Sequence, residues 1–158
     1  TMRSHLLIVL SLDPADYLND ADFELAVSCA ASLAHASLNE ERAVTIHTVG
    51  GTVSNPHAVI MLDQLSRLEL APRSGASLRE VALEGARRVP DASIAAIITG
   101  GVDPVTLRGA QLALPEEVAT FAIRCDTSLT VSRRRASHLL VLDVPTLRDL
   151  PSAIRSLR

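Results

Sequence analysis

The feature that most constrains this chain is an uninterrupted apolar run near its start. His5-Leu6-Leu7-Ile8-Val9-Leu10-Ser11-Leu12 is followed at once by the turn residues Asp13-Pro14-Ala15. A strand with one face in water alternates apolar and polar side chains. A continuous apolar run is what a strand needs when both faces are covered, as in a parallel sheet between two layers of helices. In such sheets binding sites form beyond the carboxyl ends of the strands. The turn from Ser11 to Ala15 therefore marks where a site is to be sought.

A chain of 158 residues, 47% of them hydrophobic, can bury one substantial core and is too short for two comfortable domains. A net charge of -3 gives no reason to expect a polyanionic partner. Tyr17, Phe23 and Phe121 are the only aromatic residues, too few for a platform on which bases stack, so nucleic acid is not expected as a ligand. All fifteen basic residues are arginine. Without lysine there is no phosphate-binding Gly-x-x-x-x-Gly-Lys loop and no Schiff-base chemistry. Cys29 and Cys125 sit among apolar neighbours and read as reduced core residues rather than a disulfide. No stretch approaches the roughly 20 apolar residues of a membrane span, nor is there a signal peptide. Thr1 stands where an initiator methionine is expected, so the chain reads as a piece of something longer.

Strands and helices alternate along the chain. A first strand over 5–12 leads to a helix over 21–37, capped by Asn19 and Asp20, with Phe23, Ala26, Val27, Ala30, Leu33 and Ala34 facing inward. A second strand over 43–49 alternates enough to suggest a more exposed position, and Gly50-Gly51 turns it into a short edge strand at 52–54. A helix over 57–69 presents Val59, Leu62, Leu65 and Leu68 inward, then a loop spans 71–76. Ser77-Leu78-Arg79-Glu80 is a capping box opening a helix to Arg88. A buried strand at 94–99 precedes Asp103-Pro104, a cap with proline at the first helical position, and a helix to Leu112. Strands at 118–124 and 139–144 follow, with Arg133-Arg134-Arg135 between them, read as a solvated loop ahead of the alternative of a specific site for an anion or an acidic partner. A last helix carries Leu147, Leu150, Ile154 and Leu157, interrupted at Pro151.

That order gives an α/β fold: a three-layer, doubly wound, mostly parallel Rossmann-type sheet, with five parallel strands and one short antiparallel edge strand. The first strand, the most uniformly apolar, is expected to be central.

The first loop resembles that of von Willebrand A domains, where Asp-x-Ser-x-Ser holds a divalent cation. Ser11, Asp13 and Ala15 occupy those three positions here. The stretch Phe23-Glu24-Leu25-Ala26-Val27-Ser28-Cys29-Ala30-Ala31-Ser32-Leu33-Ala34 resembles the first helix of a bacterial family of MoxR-associated proteins (domain of unknown function number fifty-eight), which end in a von Willebrand A-like region. Ser74-Gly75-Ala76-Ser77-Leu78 and Ile97-Ile98-Thr99-Gly100-Gly101 resemble its next two loops. The resemblance implies a single von Willebrand A-like domain, the soluble, cytoplasmic C-terminal part of a longer protein whose membrane anchor lies outside this chain. It also implies a non-catalytic role beside a MoxR-type AAA+ ATPase, assisting the assembly or maturation of other complexes.

The metal-ion site of such domains maps onto Ser11, Asp13, Ala15, Ser77 and Gly100, a set with one carboxylate where two are needed. It is a degenerate site, with no metal or cofactor expected; Asp103 and Ser77 are already explained as helix caps. No Gly-x-Ser-x-Gly elbow accompanies the serines, and the histidines at 5, 35, 47, 57 and 138 are scattered. The leading expectation is a protein-interaction domain binding its partner through the loop face formed by Ser11, Asp13, Asp16, Arg73, Ser77, Gly100 and Asp103. Two alternatives stay open: a cation-dependent adhesion domain with non-standard ligands (Asp13 and Asp103), and a small hydrolase or transferase on a Rossmann-like sheet.

Overall fold

A computed structural model describes residues 4–71, 75–136 and 139–151. The chain forms β1 (His5–Leu10), α1 (Asp20–Asn39), β2 (Ala43–Thr48), β3 (Gly51–Val53), α2 (Ala58–Ser66), α3 (Leu78–Arg88), β4 (Ile94–Thr99), α4 (Pro104–Leu112), β5 (Ala119–Cys125), β6 (Ser132–Ala136) and β7 (Leu139–Val144). One-turn 3₁₀ helices, Pro14–Asp16 and Leu147–Asp149, follow β1 and β7. The strands make one sheet in the order β3-β2-β1-β4-β5-β7-β6. β2, β1, β4, β5 and β7 are parallel, as the sequence predicts, while β3 and β6 close opposite edges in antiparallel pairings.

β1 is buried from Leu6 onward because it is flanked by β2 and β4 and covered on both sides. Leu6, Ile8 and Leu10 face the layer of α1 and α2, and Leu7 and Val9 face that of α3 and α4. Each such side chain contributes about 1.5–3 kcal/mol by leaving water. Asn19 starts α1 by accepting the Asp22 N–H at 2.9 Å. All six residues expected on its inner face are buried, and Ala26, Ala30 and Ala34 let the helix lie close to the strands.

Four details depart from the sequence reading. β2 is buried rather than exposed, its Thr45, His47 and Thr48 included, since α1 and α3 pack on its two faces while β3 pairs with its outer edge. On α2 the buried pair is Met61 and Leu65, while Val59 is 80% exposed. Arg133-Arg134-Arg135 lies in β6, not in a loop: Ser132–Ala136 has no apolar alternation and becomes a strand through its pairing with β7. β4, not β1, is the middle strand of seven, although β1 is interior. Of the expected final helix, Leu150 is buried and follows the second 3₁₀ turn, while Ile154 and Leu157 lie outside the described residues. No helix among the described residues is long and apolar enough to cross a membrane.

Candidate functional site

The chain leaves β1 toward β2 and leaves β4 toward β5, in opposite directions across the sheet. The crevice between the carboxyl ends of β1 and β4 is therefore the topological switch point, where α/β sheets collect their ligands. Here the chain itself fills it. Ser11 continues β1, its N–H donating to the Ile98 carbonyl at 3.0 Å. Asp13 then caps the 3₁₀ turn by accepting the Ala15 N–H at 2.9 Å, and the turn folds back over β4. A Cβ on Gly100 would lie 2.0 Å from the Asp16 carbonyl oxygen and 2.9 Å from Tyr17 Cδ1, so only glycine lets the turn sit there. Tyr17 locks it by donating its hydroxyl to the Ser11 carbonyl at 2.7 Å and packing edge-on against Phe23. A separate void of about 10 Å³, between the first loop, Val49 after β2 and Leu78 and Val81 of α3, is at or below the space one water needs.

The polar residues of this rim are mostly engaged with one another. Ser11 donates its hydroxyl to Asp16 at 2.6 Å and accepts the Asp13 N–H at 3.2 Å. Burial pushes the Asp16 carboxyl above its ordinary range; the Ser11 bond opposes that and the nearby Asp13 charge adds to it. Ser77 accepts the Glu80 N–H at 3.2 Å, and Asp103 accepts the Thr106 N–H at 2.8 Å. These Thr106 hydrogen bonds hold the Asp103 carboxyl below its usual range. Ser77 and Asp103 thus do what the sequence predicts of them as caps. The structure brings Ser11, Asp13, Asp16 and Gly100 together, and Arg73 lies outside the described residues. Among the described residues no three His, Cys, Asp or Glu side chains are grouped as a cation would require.

Two polar groupings at the same end of the sheet were not foreseen. Asp22, in the first turn of α1, is buried and ties that helix to the β5–β6 turn. Its Oδ1 accepts the Thr127 N–H at 3.1 Å and the Thr127 hydroxyl at 3.0 Å, while its Oδ2 is buried without a hydrogen-bond partner. The second grouping is a row across the sheet, where Thr99 is level with Arg124, Arg124 with Asp143 and Asp143 with Ser132. Arg124 grips Asp143 in two bonds, Nε at 2.7 Å and Nη2 at 3.2 Å, and gives Nη1 to the Val102 carbonyl at 2.9 Å. Asp143 also accepts Ser132 Oγ at 2.8 Å and a short bond from Arg134. Burial would raise the Asp143 carboxyl, but the bonds from Arg124 and Ser132 and the two guanidinium charges outweigh it, and the net shift is downward. A charged residue inside Phe-Ala-Ile-Arg-Cys and another inside Leu-Val-Leu-Asp-Val were the available signal, because two apolar strands accept charges only as partners. The row braces the loops after β4 and β5; Arg124, Asp143 and Ser132 satisfy one another, while the Thr99 hydroxyl is buried without a hydrogen-bond partner among the described residues.

Cys29 and Cys125 are free, fully buried and 3.8 Å apart at sulfur. The contact with Cys29 and burial together push the Cys125 thiol far up, so it is inert at neutral pH, as its apolar neighbours predict.

What remains outward at this end is apolar and polar by turns, with Arg148 and several hydroxyl residues beside the carboxylates. Leu18 and Val105 are 71% and 79% exposed, with Val131 and Leu147 also exposed, on the segments that follow β1, β4, β5 and β7, Val105 at the start of α4 and Leu147 in the second 3₁₀ turn. Asp20 and Asp103 lie among them. No model of a known protein family matches this chain, and none of the curated proteins matches it significantly.

Proposed function

We propose that the chain is a non-catalytic, von Willebrand A-like protein-interaction domain that docks a partner on the loop rim at the carboxyl ends of its parallel strands. The observation that carries this reading is the switch point itself. The Pro14–Asp16 turn seats on Gly100 and fills the space beyond the ends of β1 and β4, so the rim there meets its surroundings as a surface rather than a cleft. Exposed Leu18, Val105, Val131 and Leu147 set among polar and charged residues suit protein contact, since apolar side chains ringed by polar ones are typical of docking surfaces. Loops on a rigid sheet are also where binding residues collect. The resemblance of the first helix to MoxR-associated proteins makes a MoxR-type AAA+ ATPase the first partner to test, in a cytoplasmic setting.

The test is site-specific photo-crosslinking in lysate. A photoreactive residue at Leu18 or Val105 should give a discrete protein adduct that survives EDTA. The same residue at Asp91 or Glu117, before β4 and β5 at the opposite pole, should give none. Adducts only from the opposite pole, or equal labelling at both, would refute the loop-rim assignment. Loss in EDTA would favour a metal-bridged contact instead.

A further inference from the structure

β6 is the longer edge of the sheet. It runs five residues, Ser132–Ala136, against three for β3, and its inner side pairs with β7. Among the described residues no element pairs with its outer side, so one row of backbone N–H and C=O groups faces outward as a template for another strand.

The side chains beside that template are asymmetric. Arg134 is level with Val141, on the face of α3 and α4, and is held by Asp143. Arg133 and Arg135 are level with Leu142 and Leu140, on the opposite face, because residues paired across an antiparallel ladder share a face. Both are exposed, and no ion pair engages either one among the described residues. Arg133 and Arg135 leave the strand about 6.8 Å apart on one face, the spacing at which i and i+2 side chains leave any strand laid beside them.

We propose that the outer edge of β6 takes an extended, acidic segment of a partner protein as an eighth strand, with carboxylates at alternate positions facing Arg133 and Arg135. Charge selects the occupant. A second copy of this chain paired edge to edge would set arginines beside arginines, which is unfavourable, whereas an acidic strand replaces that repulsion with attraction. Backbone pairing provides affinity and the two guanidiniums provide the choice of sequence. This surface is at the side of the sheet and separate from the loop rim, so it does not depend on the docking proposed there.

The test uses a fluorescent seven-residue peptide, Thr-Glu-Val-Glu-Val-Glu-Thr, against the intact chain. Saturable binding that weakens with salt is expected, with new protection of β6 amides in hydrogen exchange. Arg133→Glu/Arg135→Glu should weaken it at least tenfold and Arg133→Gln/Arg135→Gln by a smaller factor, both with unchanged thermal melts. N-methylation of alternate peptide amides should abolish binding, since it removes the ladder and leaves the charge. Binding that ignores the arginine substitutions, equal binding of the N-methylated peptide, or equal binding of a short oligothymidylate would overturn the proposal. So would absence of binding, or a dimer in sedimentation that the arginine substitutions dissociate.

Discussion

Gly100→Ala tests the closed switch point directly. The added methyl carbon would sit 2.0 Å from the Asp16 carbonyl oxygen and 2.9 Å from both the Asp16 carbonyl carbon and Tyr17 Cδ1. A carbon and a carbonyl oxygen approach comfortably to about 3.3 Å, so the gap must open by more than about 1 Å. The obstacle is backbone, fixed within its turn by Asp16 N–H to the Asp13 carbonyl at 3.0 Å and Tyr17 N–H to the Pro14 carbonyl at 3.3 Å. The turn must therefore lift as a unit and take Tyr17 with it. That endangers the buried 2.7 Å bond to the Ser11 carbonyl, worth about 1 kcal/mol. It also endangers the edge-on contact with Phe23, worth about 0.5–1.5 kcal/mol. With residual overpacking of about 1 kcal/mol, the loss comes to about 3 kcal/mol. In a domain of this size that lowers the melting temperature by about 6–12 °C. Tyr17 is the single tyrosine and there is no tryptophan, so intrinsic fluorescence reads the displaced turn without a label. Urea titration gives the free energy. Gly101→Ala is the control, because its Cβ would meet a side-chain oxygen of Asp126, at 2.5 Å, rather than backbone; Asp126 can move only by straining its bonds from Ser128, so the change should cost less than Gly100→Ala and leave tyrosine emission unchanged. A Gly100→Ala protein melting within 2 °C of wild type (about 0.5–1 kcal/mol), with unchanged tyrosine emission, would refute the seating of the turn on Gly100.

Asp143→Ala leaves the Arg124 guanidinium buried without its carboxylate and should cost about 3–5 kcal/mol by urea unfolding. Because the native Asp143 carboxyl titrates below its unfolded value of about 3.9, its contribution is complete above that pH and disappears as pH falls through the lower native value. Asp143→Asn should accordingly flatten the stability–pH curve below about pH 4. Asp16 has the opposite sign: burial raises its native value, so ionisation costs stability as pH rises through it. Asp16→Asn, which keeps an acceptor for Ser11, should stabilise the protein at pH 7 and lose that gain below about pH 4; a loss at pH 7 would contradict this. Ala30→Leu on the buried face of α1 should destabilise by about 1–3 kcal/mol, and Glu24→Ala on the exposed face should stay within about 0.5 kcal/mol, compared through their urea midpoints.

The elements most legible in the sequence are those whose own residues dictate them. β1 and β4 are continuous apolar runs, α1 carries helical spacing over twenty residues, and the caps at Asn19, Ser77 and Asp103 announce their helices. β6 was illegible because nothing in Ser-Arg-Arg-Arg-Ala favours a strand by pattern; the ladder with β7 and the pull of Asp143 on Ser132 and Arg134 make it one. α2 misled because it is nine residues long, so a single seam, Met61 and Leu65, suffices to anchor it and its apolar Val59 is left outside. At the candidate site the loop was legible and its internal wiring was not. That Asp16 meets Ser11 while Asp13 turns to the Ala15 amide depends on the 3₁₀ turn folding back, which depends on Gly100, far along the chain.

The interior position of the first strand also governs how the protein is born. β1 is synthesised before both of its partners: Leu6 pairs with Val44 on one side and with Ile94 on the other. While the ribosome extends the chain, α1 and β2 can shelter one flank of β1, but the other flank stays unpaired until β4 has emerged. During that interval Leu7 and Val9, which finally face α3 and α4, lack their cover. A strand so apolar, waiting for a partner made much later, is an aggregation hazard during synthesis. The distant β1–β4 pairing also makes folding slow for a chain of this length, because the intervening loop must close before the contact yields anything.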